Sequence, residues 1–596
     1  MRTDTEQGTG TRVPAEAWPV AALAAAALTA CGGGGGDDPK PADTVKPPPE
    51  TAQCLSTQPS PASAGTSAAL AAPTYATAAR FLAQIGLGAT VADLQAIVAA
   101  GNFTTWLDAQ LSRPANAVSV FQWAKDRGFA DLSNFGTDRG VDDAVWARLL
   151  GSPDVVRQRM ALAWSQIFVV SASNMATPWG QFAAMAYWDV LEAHGLGNFR
   201  SLLRAVTLSP AMGVYLNMRG SRKADAGSGR QPDENYAREV LQLFTIGLNQ
   251  LRADGTEVLD GCGQPVATYT NDDISGLAAV FTGWDFDRPS DLTPDHLARP
   301  MVHDATGFAE GAKRFLGVTA AAGLSGTQAL DVALDTIFNH PNVAPYIARR
   351  LIQQLTTSNP SAAYVARVAQ AFADNGSGVR GDLKAVVRAI VLDAEARPTL
   401  TGTLALTHGK LREPVLRLVH WARLFRVNAT DGRWQVQNLA PATALAQSPL
   451  RAPSVFNFFR PGYVPPNTEL AQAGLVAPEF QITDDTSVIG YANFMQRVIG
   501  FGDRNVEPDY ATDGWLARAA DPDDLVAWLN VGLAGGNLLP ETVAQIIEAI
   551  TPIDQLDVNA YPIDTPLGPR WSSGRLARVV TAVFLIVCSP DFLVQR

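Results

Sequence analysis

From about Thr74 to the end of the chain, apolar residues recur at three- and four-residue spacing. Val91, Leu94, Ile97 and Val98 share one face of a 3.6-residue helix, and Gly101 follows where a residue tolerant of positive φ is expected. Trp106, Leu107 and Leu111 open the next helix. The same spacing predicts helices over 155–170, 182–193, 199–208, 235–248, 273–281, 330–338 and 343–355. It continues over 362–372, 383–392, 414–425, 488–499, 525–533, 541–550 and 575–587. Almost no stretch alternates with period two, so little sheet is expected. Ser209-Pro210, His340-Pro341 and Ser589-Pro590 put proline where a helix can open without losing a hydrogen bond. Thr270 and Asp273 have the spacing of a capping box. No period repeats along the chain, which disfavours a regular solenoid. The expected fold is mainly α: a large multi-helix globular body over 74–596 with long irregular loops, and two subdomains divided near 400–480.

Four irregular stretches interrupt the helices. Residues 219–231 are Gly/Ser-rich and basic, and they lead straight into Asp233 and Glu234. Residues 255–270 and the proline-rich 285–311 follow, and 448–481 lies further on. Three long loops around one short helical region favour a functional region there.

Composition places the chain among globular proteins: 47% of residues are hydrophobic and 17% charged. The net charge is −11, from 46 basic and 57 acidic residues, and the basic ones are scattered. Nucleic acid is therefore excluded as an expected partner. The N-terminus carries a processing signal. Residues 20–30 are almost entirely Ala, Leu and Val and end in Leu28-Thr29-Ala30-Cys31, similar to a bacterial lipobox. The run is too short to span a bilayer but suits a signal-peptide core. Residues 1–30 are thus expected to be a signal peptide, Cys31 the lipidated residue, and the Gly/Pro-rich 31–73 a tether. Gly32 after Cys31 points to the outer membrane by the bacterial sorting convention. The remaining cysteines, Cys54, Cys262 and Cys588, are odd in number with no CxxC pair and leave room for one bridge, while Cys588 sits in an apolar run where it reads as a small buried hydrophobe.

Residues 233–247, Asp-Glu-Asn-Tyr-Ala-Arg-Glu-Val-Leu-Gln-Leu-Phe-Thr-Ile-Gly, resemble the signature of the Domain of Unknown Function 1800 family. Tyr269-Thr270, Thr282-Gly283-Trp284, His303-Asp304, Lys313 with Phe315-Leu316-Gly317, and Lys410-Leu411-Arg412-Glu413-Pro414 extend the resemblance over nearly the whole body. Gln242 stands where the family usually has Glu. The resemblance implies a mostly helical architecture, export, and association with a second exported family, domain of unknown function 1501. It names no reaction.

On a helix from Glu234, the residues Asn235, Arg238, Glu239 and Gln242 share a polar arc, while Tyr236, Val240, Leu243 and Phe244 face the other way. Two acids, an amide and a cation within six residues exceed what a structural helix needs, although Glu234 and Arg238 also have the spacing of an ordinary i,i+4 ion pair. Glu234, Glu239, His303 and Asp304 are the candidate catalytic residues, and Asn235, Arg238, Trp284 and Lys313 the candidate substrate contacts. If a divalent metal serves the site, His303, Asp304 and Glu239 are the ligands on offer. Each has a plain structural alternative: Trp284 as core, His303 as a satisfied loop histidine, Lys313 or Lys410 as the partner of a buried carboxylate. The chain has no Gly-x-Ser-x-Gly elbow, His-Glu-x-x-His, Walker loop or EF-hand series. Two expectations follow. One is an exported lipoprotein enzyme, hydrolase-like, acting on an extracellular polymer or envelope component. The other is a non-catalytic surface lipoprotein that binds another exported envelope protein.

Overall fold

The computed structural model describes residues 60–288, 292–397, 407–436, 439–502, 506–555 and 574–596. The expected leader, Cys31, Cys54 and the first part of the expected tether lie outside the described residues.

Helix signals in the sequence place the elements. Tyr75–Ile85 opens on a Thr74 capping box, and Val91–Ala100 ends on Gly101 in the left-handed region at φ 67°. Val343–Leu355 spans the expected residues, and Asn271–Val280 starts on the Thr270 and Asp273 capping box. Proline is the first helical residue at Pro210 and Pro590. Pro341 is not: the helix starts at Val343 behind Asn342, whose N–H is accepted by His340 Nδ1 at 3.1 Å. Among the described residues the sheet content is four antiparallel pairs of two or three residues each, such as Trp284–Asp285 with Val302–His303 and Lys410–Leu411 with Val594–Gln595. The fold is mainly α, and no described helix is long and apolar enough to cross a membrane.

One expected helix departs from regularity. The 235–248 segment is an α-helix over Asn235–Glu239 and then widens into a π-helix over Val240–Thr245. Side chains divert its carbonyls: the Thr245 hydroxyl donates to Val240 O, and the Tyr346 hydroxyl donates to Leu243 O at 2.8 Å. Such π turns recur at functional sites. Phe244 anchors the segment by packing edge-on against Phe168 at 5.3 Å, in an aromatic row that continues through Phe199 to Phe372.

The described residues from Ser60 onward belong to one compact unit, with no separation between 400 and 480. One hydrophobic core runs through it, and a buried charged cluster adds to the links across that region. Lys410 Nζ pairs with Glu479 at 2.8 Å, each side chain 2% exposed. Glu413 accepts from Gln166 and from Gln447, both at 2.6 Å. Arg159, fully buried, donates to carbonyls of Gln84 and Gln354 and feels both carboxylates. Buried ions tolerate no loosening of their partners, so the halves of the chain that supply them are held together. Residues 60–73 also lie on the body: Ala62 N donates to Asp254 Oδ2 at 2.6 Å, Arg367 to Ala64 O, and Ala394 N to Ser67 Oγ.

Candidate functional site

The signature helix is fixed on its apolar side. Tyr236 is 1% exposed, shares a 2.6 Å hydrogen bond with the Thr207 hydroxyl and meets Phe281 edge-on at 4.9 Å. Its polar arc then faces a set of groups from three other segments. Glu239 is 8% exposed and forms no hydrogen bond, and its Oε2 is fully enclosed. The hydroxyls of Tyr215, Tyr269 and Tyr346 lie within electrostatic reach of that carboxyl. Burial raises the Glu239 pKa, and Arg238 opposes the rise. A buried carboxyl with no partner among the described residues is uncommon in a native protein. It favours the neutral, proton-bearing form.

Arg238 and Glu234 sit at the mouth of this arrangement. Their 3.2 Å ion pair is about two-fifths exposed on each side, and Glu234 Oε1 accepts from the Ser275 hydroxyl at 2.6 Å. The side-chain amides of Asn235 and Gln242 are partly exposed and engage no described residue. Of the residues on the expected arc, Asn235, Arg238 and Gln242 are partly exposed and Glu239 is buried. The tyrosines were missed at the sequence level, although Tyr269 stands in a quoted motif and Tyr346 lies on a well-predicted helix. Nothing in one-dimensional spacing brings Tyr215, Tyr269 and Tyr346 to Glu239.

The second group of candidates assembles elsewhere. His303 pairs with Trp284 across the short strand pair, and its ring lies edge-on to Trp284 at 5.1 Å and to Phe308 at 4.9 Å. Lys313 Nζ stands 4.2 Å over the Phe308 ring and donates to Gly311 O. Burial lowers the pKa of both His303 and Lys313. The imidazole fills a slot: a Cβ on Gly326 would come within 1.9 Å of its Nε2. Trp284, 3% exposed, is core. Asp304 faces outward, accepting from Thr306 N and Oγ1 and pairing with Arg222 at 3.2 Å. No hydrogen bond, ion pair or electrostatic coupling joins His303 or Asp304 to Glu239 or Glu234. Among the described residues, no three His, Cys, Asp or Glu side chains are grouped to hold a metal ion. His303, Asp304 and Glu239 thus form two places, one packed and one polar.

The loops explain this division. The basic loop 219–231 is spent on the acidic residues of the 285–311 loop: Arg219 with Asp285 at 2.8 Å, Arg222 with Asp304, and Lys223 with Glu310 at 2.7 Å. Backbone bonds reinforce the match, Gly220 N donating to Trp284 O and Lys223 N to Gly307 O. The two loops clasp each other. Ser221 Oγ, accepting from Asp233 N, ties the pair to the start of the signature helix. Lys410, the other lysine with two readings, is the partner of a buried carboxylate, Glu479.

No curated protein and no solved structure shows a significant match to this chain. One family does match, across residues 80–594, which includes the signature helix, the clasped loops and the central charged cluster: the chain belongs to the family described as protein of unknown function (DUF1800).

Proposed function

We propose that the face formed by Asn235, Arg238, Glu239 and Gln242 is the working site of an exported, lipid-anchored enzyme, hydrolase-like, that cleaves a hydroxyl-rich extracellular polymer or envelope component. The observation that carries this reading is Glu239: a buried carboxyl, raised in pKa, with no hydrogen bond of its own and three tyrosines around it. A carboxyl whose pKa is raised by burial is suited to give up a proton as a general acid. Glu239 gives its proton to the leaving oxygen as the scissile bond breaks. Water adds its hydroxyl to the released centre and returns its other proton to Glu239, which closes the cycle. Glu234 holds Arg238 in place, so that its charge faces developing negative charge. The amides of Asn235 and Gln242 and the tyrosine hydroxyls are suited to bind substrate hydroxyls. His303 and Asp304 belong to the clasped loops, which Ser221 ties to the start of the signature helix at Asp233.

The test is Glu239→Gln in the full-length protein. It is expected to keep the fold and lose turnover in a screen of polysaccharides and peptidoglycan. For the parent, activity should fall as pH rises through the Glu239 pKa, because the acid must carry its proton. A parent protein without turnover on any of these substrates overturns the reading. Export to the outer membrane rests on Leu28-Thr29-Ala30-Cys31, and Cys31→Ala should release the protein from the membrane fraction.

A specific observation favours a second reading. Open clefts of about 620 and 570 Å3 lie away from Glu239, one beside Arg349 and Val365 and the other beside Asn174 and Gln181. They suit a non-catalytic surface lipoprotein that assembles with an exported partner of the domain of unknown function 1501 kind. Co-purification with such a partner, undiminished by Glu239→Gln and without turnover, would support it.

A further inference from the structure

The cleft of about 570 Å3 beside Asn174 and Gln181 opens between the turn 136–138 and the segment 172–181. Buried groups fix its walls. Gln181 donates from Nε2 to Asn134 O at 3.0 Å, an oxygen that also accepts from the Thr137 hydroxyl at 2.8 Å. Arg451 joins the two sides: its guanidinium pairs with Asp138 at 2.6 Å and with Asp142 at 2.8 Å, and its Nη1 stands 3.5 Å from Ser173 Oγ. Ala172 N completes the frame by donating to Leu450 O at 2.8 Å. Trp179, fully buried, has φ 58° in the left-handed region. A bulky residue there costs about 1–2 kcal/mol, a strain that persists where the surroundings dictate it and that gathers at functional sites. Gly180 beside it has no room for a Cβ, which would meet Met175 O at 2.5 Å.

This frame leaves polar groups over. Asn174 is exposed and its side-chain amide engages no described residue. Ser173 is exposed as well, and Asp138 keeps more than half of its side chain in solvent. The Arg451 hydrogen bond holds the Asp138 carboxyl below the usual range, so it is ionised at neutral pH. Phe135, about half exposed, stands edge-on to Trp179 at 5.3 Å, which fixes its ring. It adjoins Gly136 on one wall of the cleft, and Trp179 adjoins Gly180 on the other. Charge narrows the guest. Among the described residues no lysine or arginine lines the cleft, and Arg451 is shared by two carboxylates, so an acidic guest would meet a local excess of negative charge. A carboxylate, an amide and a hydroxyl beside an aromatic ring suit a molecule with hydroxyls at its rim and C–H bonds on its face. A pyranose ring has both.

We propose that this cleft is a saccharide-binding site, separate from the Glu239 face, that holds a neutral, hydroxyl-rich chain without cleaving it. Asp138, Ser173 and Asn174 take its hydroxyls, and Phe135 stacks on one ring. Cleavage is not its task, because the carboxylate it offers is ionised and has no proton to give. The site goes beyond the reading of Glu239 as an acid and does not depend on it. Walls tied by buried bonds lose little freedom when a guest enters, which favours binding by few contacts.

The test is calorimetric binding to the full-length protein of three probes: cellohexaose and chitohexaose as neutral chains, and oligogalacturonate as the acidic control. A neutral probe should bind with little response to salt, since no ion pair forms, and oligogalacturonate should not. Phe135→Ala should weaken that binding about tenfold, the scale of one lost contact. Asn174→Ala, on an exposed residue that threatens no packing, should weaken it in the same direction and carries the test should Phe135→Ala disturb Trp179. Failure of both neutral probes to bind, tighter binding of oligogalacturonate, or binding that neither variant weakens overturns the proposal. Capture of an exported protein that Asn174→Ala abolishes, with no saccharide bound, gives the cleft to a protein and also overturns it. Saccharide binding that depends on Phe135 and Asn174 in a protein without turnover supports the proposal and removes the hydrolase reading instead.

Discussion

Replacing Lys410 by Met tests whether the central charged cluster holds the two halves of the chain together. Lys410 Nζ contacts three acceptors: Glu479 at 2.8 Å, Gln353 O at 2.8 Å and Gln354 O at 3.0 Å. Methionine matches the stem and removes all three donors. Gln354 O keeps a bond from Arg159. Glu479 has no such relief, because its other oxygen, Oε2, is already enclosed without a partner. Stranding a buried carboxylate costs about 3–5 kcal/mol, a large part of the roughly 5–15 kcal/mol that a domain usually has. The assay is urea unfolding followed by tryptophan fluorescence at pH 7. The partner variant, Lys410→Met with Glu479→Leu, removes both charges and should recover at least half of the loss. The pH dependence has a definite sign. Burial raises the Glu479 pKa while Lys410 opposes the rise. An acid with a raised folded-state value costs no stability below its unfolded value of about 4.3 and progressively more as pH climbs through the folded value. Without Lys410 that rise is larger, so the Lys410→Met penalty should shrink from pH 7 to about pH 5. A loss under about 1 kcal/mol, or a double variant as damaged as the sum of the singles, would refute the reasoning.

Gly326→Ala would place a Cβ 1.9 Å from His303 Nε2 and should cost about 1–3 kcal/mol by overpacking. His303→Ala in the same chain should restore most of that, and a Gly326→Ala protein of unchanged thermal midpoint would remove the packing role given to His303. Phe244→Ala empties a fully buried position against Phe168; a loss of about 3–5 kcal/mol is expected in chemical unfolding. Glu234→Gln breaks a 3.2 Å ion pair that is two-fifths exposed, so less than about 1 kcal/mol should be lost. Thr270→Ala removes one side of a capping box and should cost about 1 kcal/mol in the same measurement.

Helix identity along this chain was legible because it is written locally. Apolar residues at three- and four-residue spacing bury one face whatever they pack against, and caps such as Thr270 with Asp273 or Gly101 act within a few residues. The polar arc of Asn235, Arg238, Glu239 and Gln242 was legible for the same reason, since helical periodicity alone puts those residues on one face. The family signature falls on this local pattern.

Tertiary contacts decided the rest. The π turn at Val240–Thr245 depends on Tyr346, a hundred residues away, taking carbonyls that a regular helix would have kept. Glu239 is buried although helical spacing puts it on the polar arc, and the tyrosines that feel its charge, Tyr215, Tyr269 and Tyr346, lie on other segments. His303 and Asp304 adjoin in the chain, yet one ends a strand and fills a slot against Gly326, while the other caps the following turn, accepts from Thr306 N and faces solvent. The charged segment 410–414 shows the same limit. Its lysine could equally have met a ligand or a carboxylate, and the choice fell to Glu479, whose place at Lys410 is set by the packing of the whole body. Periodicity determines which side of an element is polar; desolvation and pairing, which set what a polar group can do, are properties of the neighbours that only the folded chain supplies.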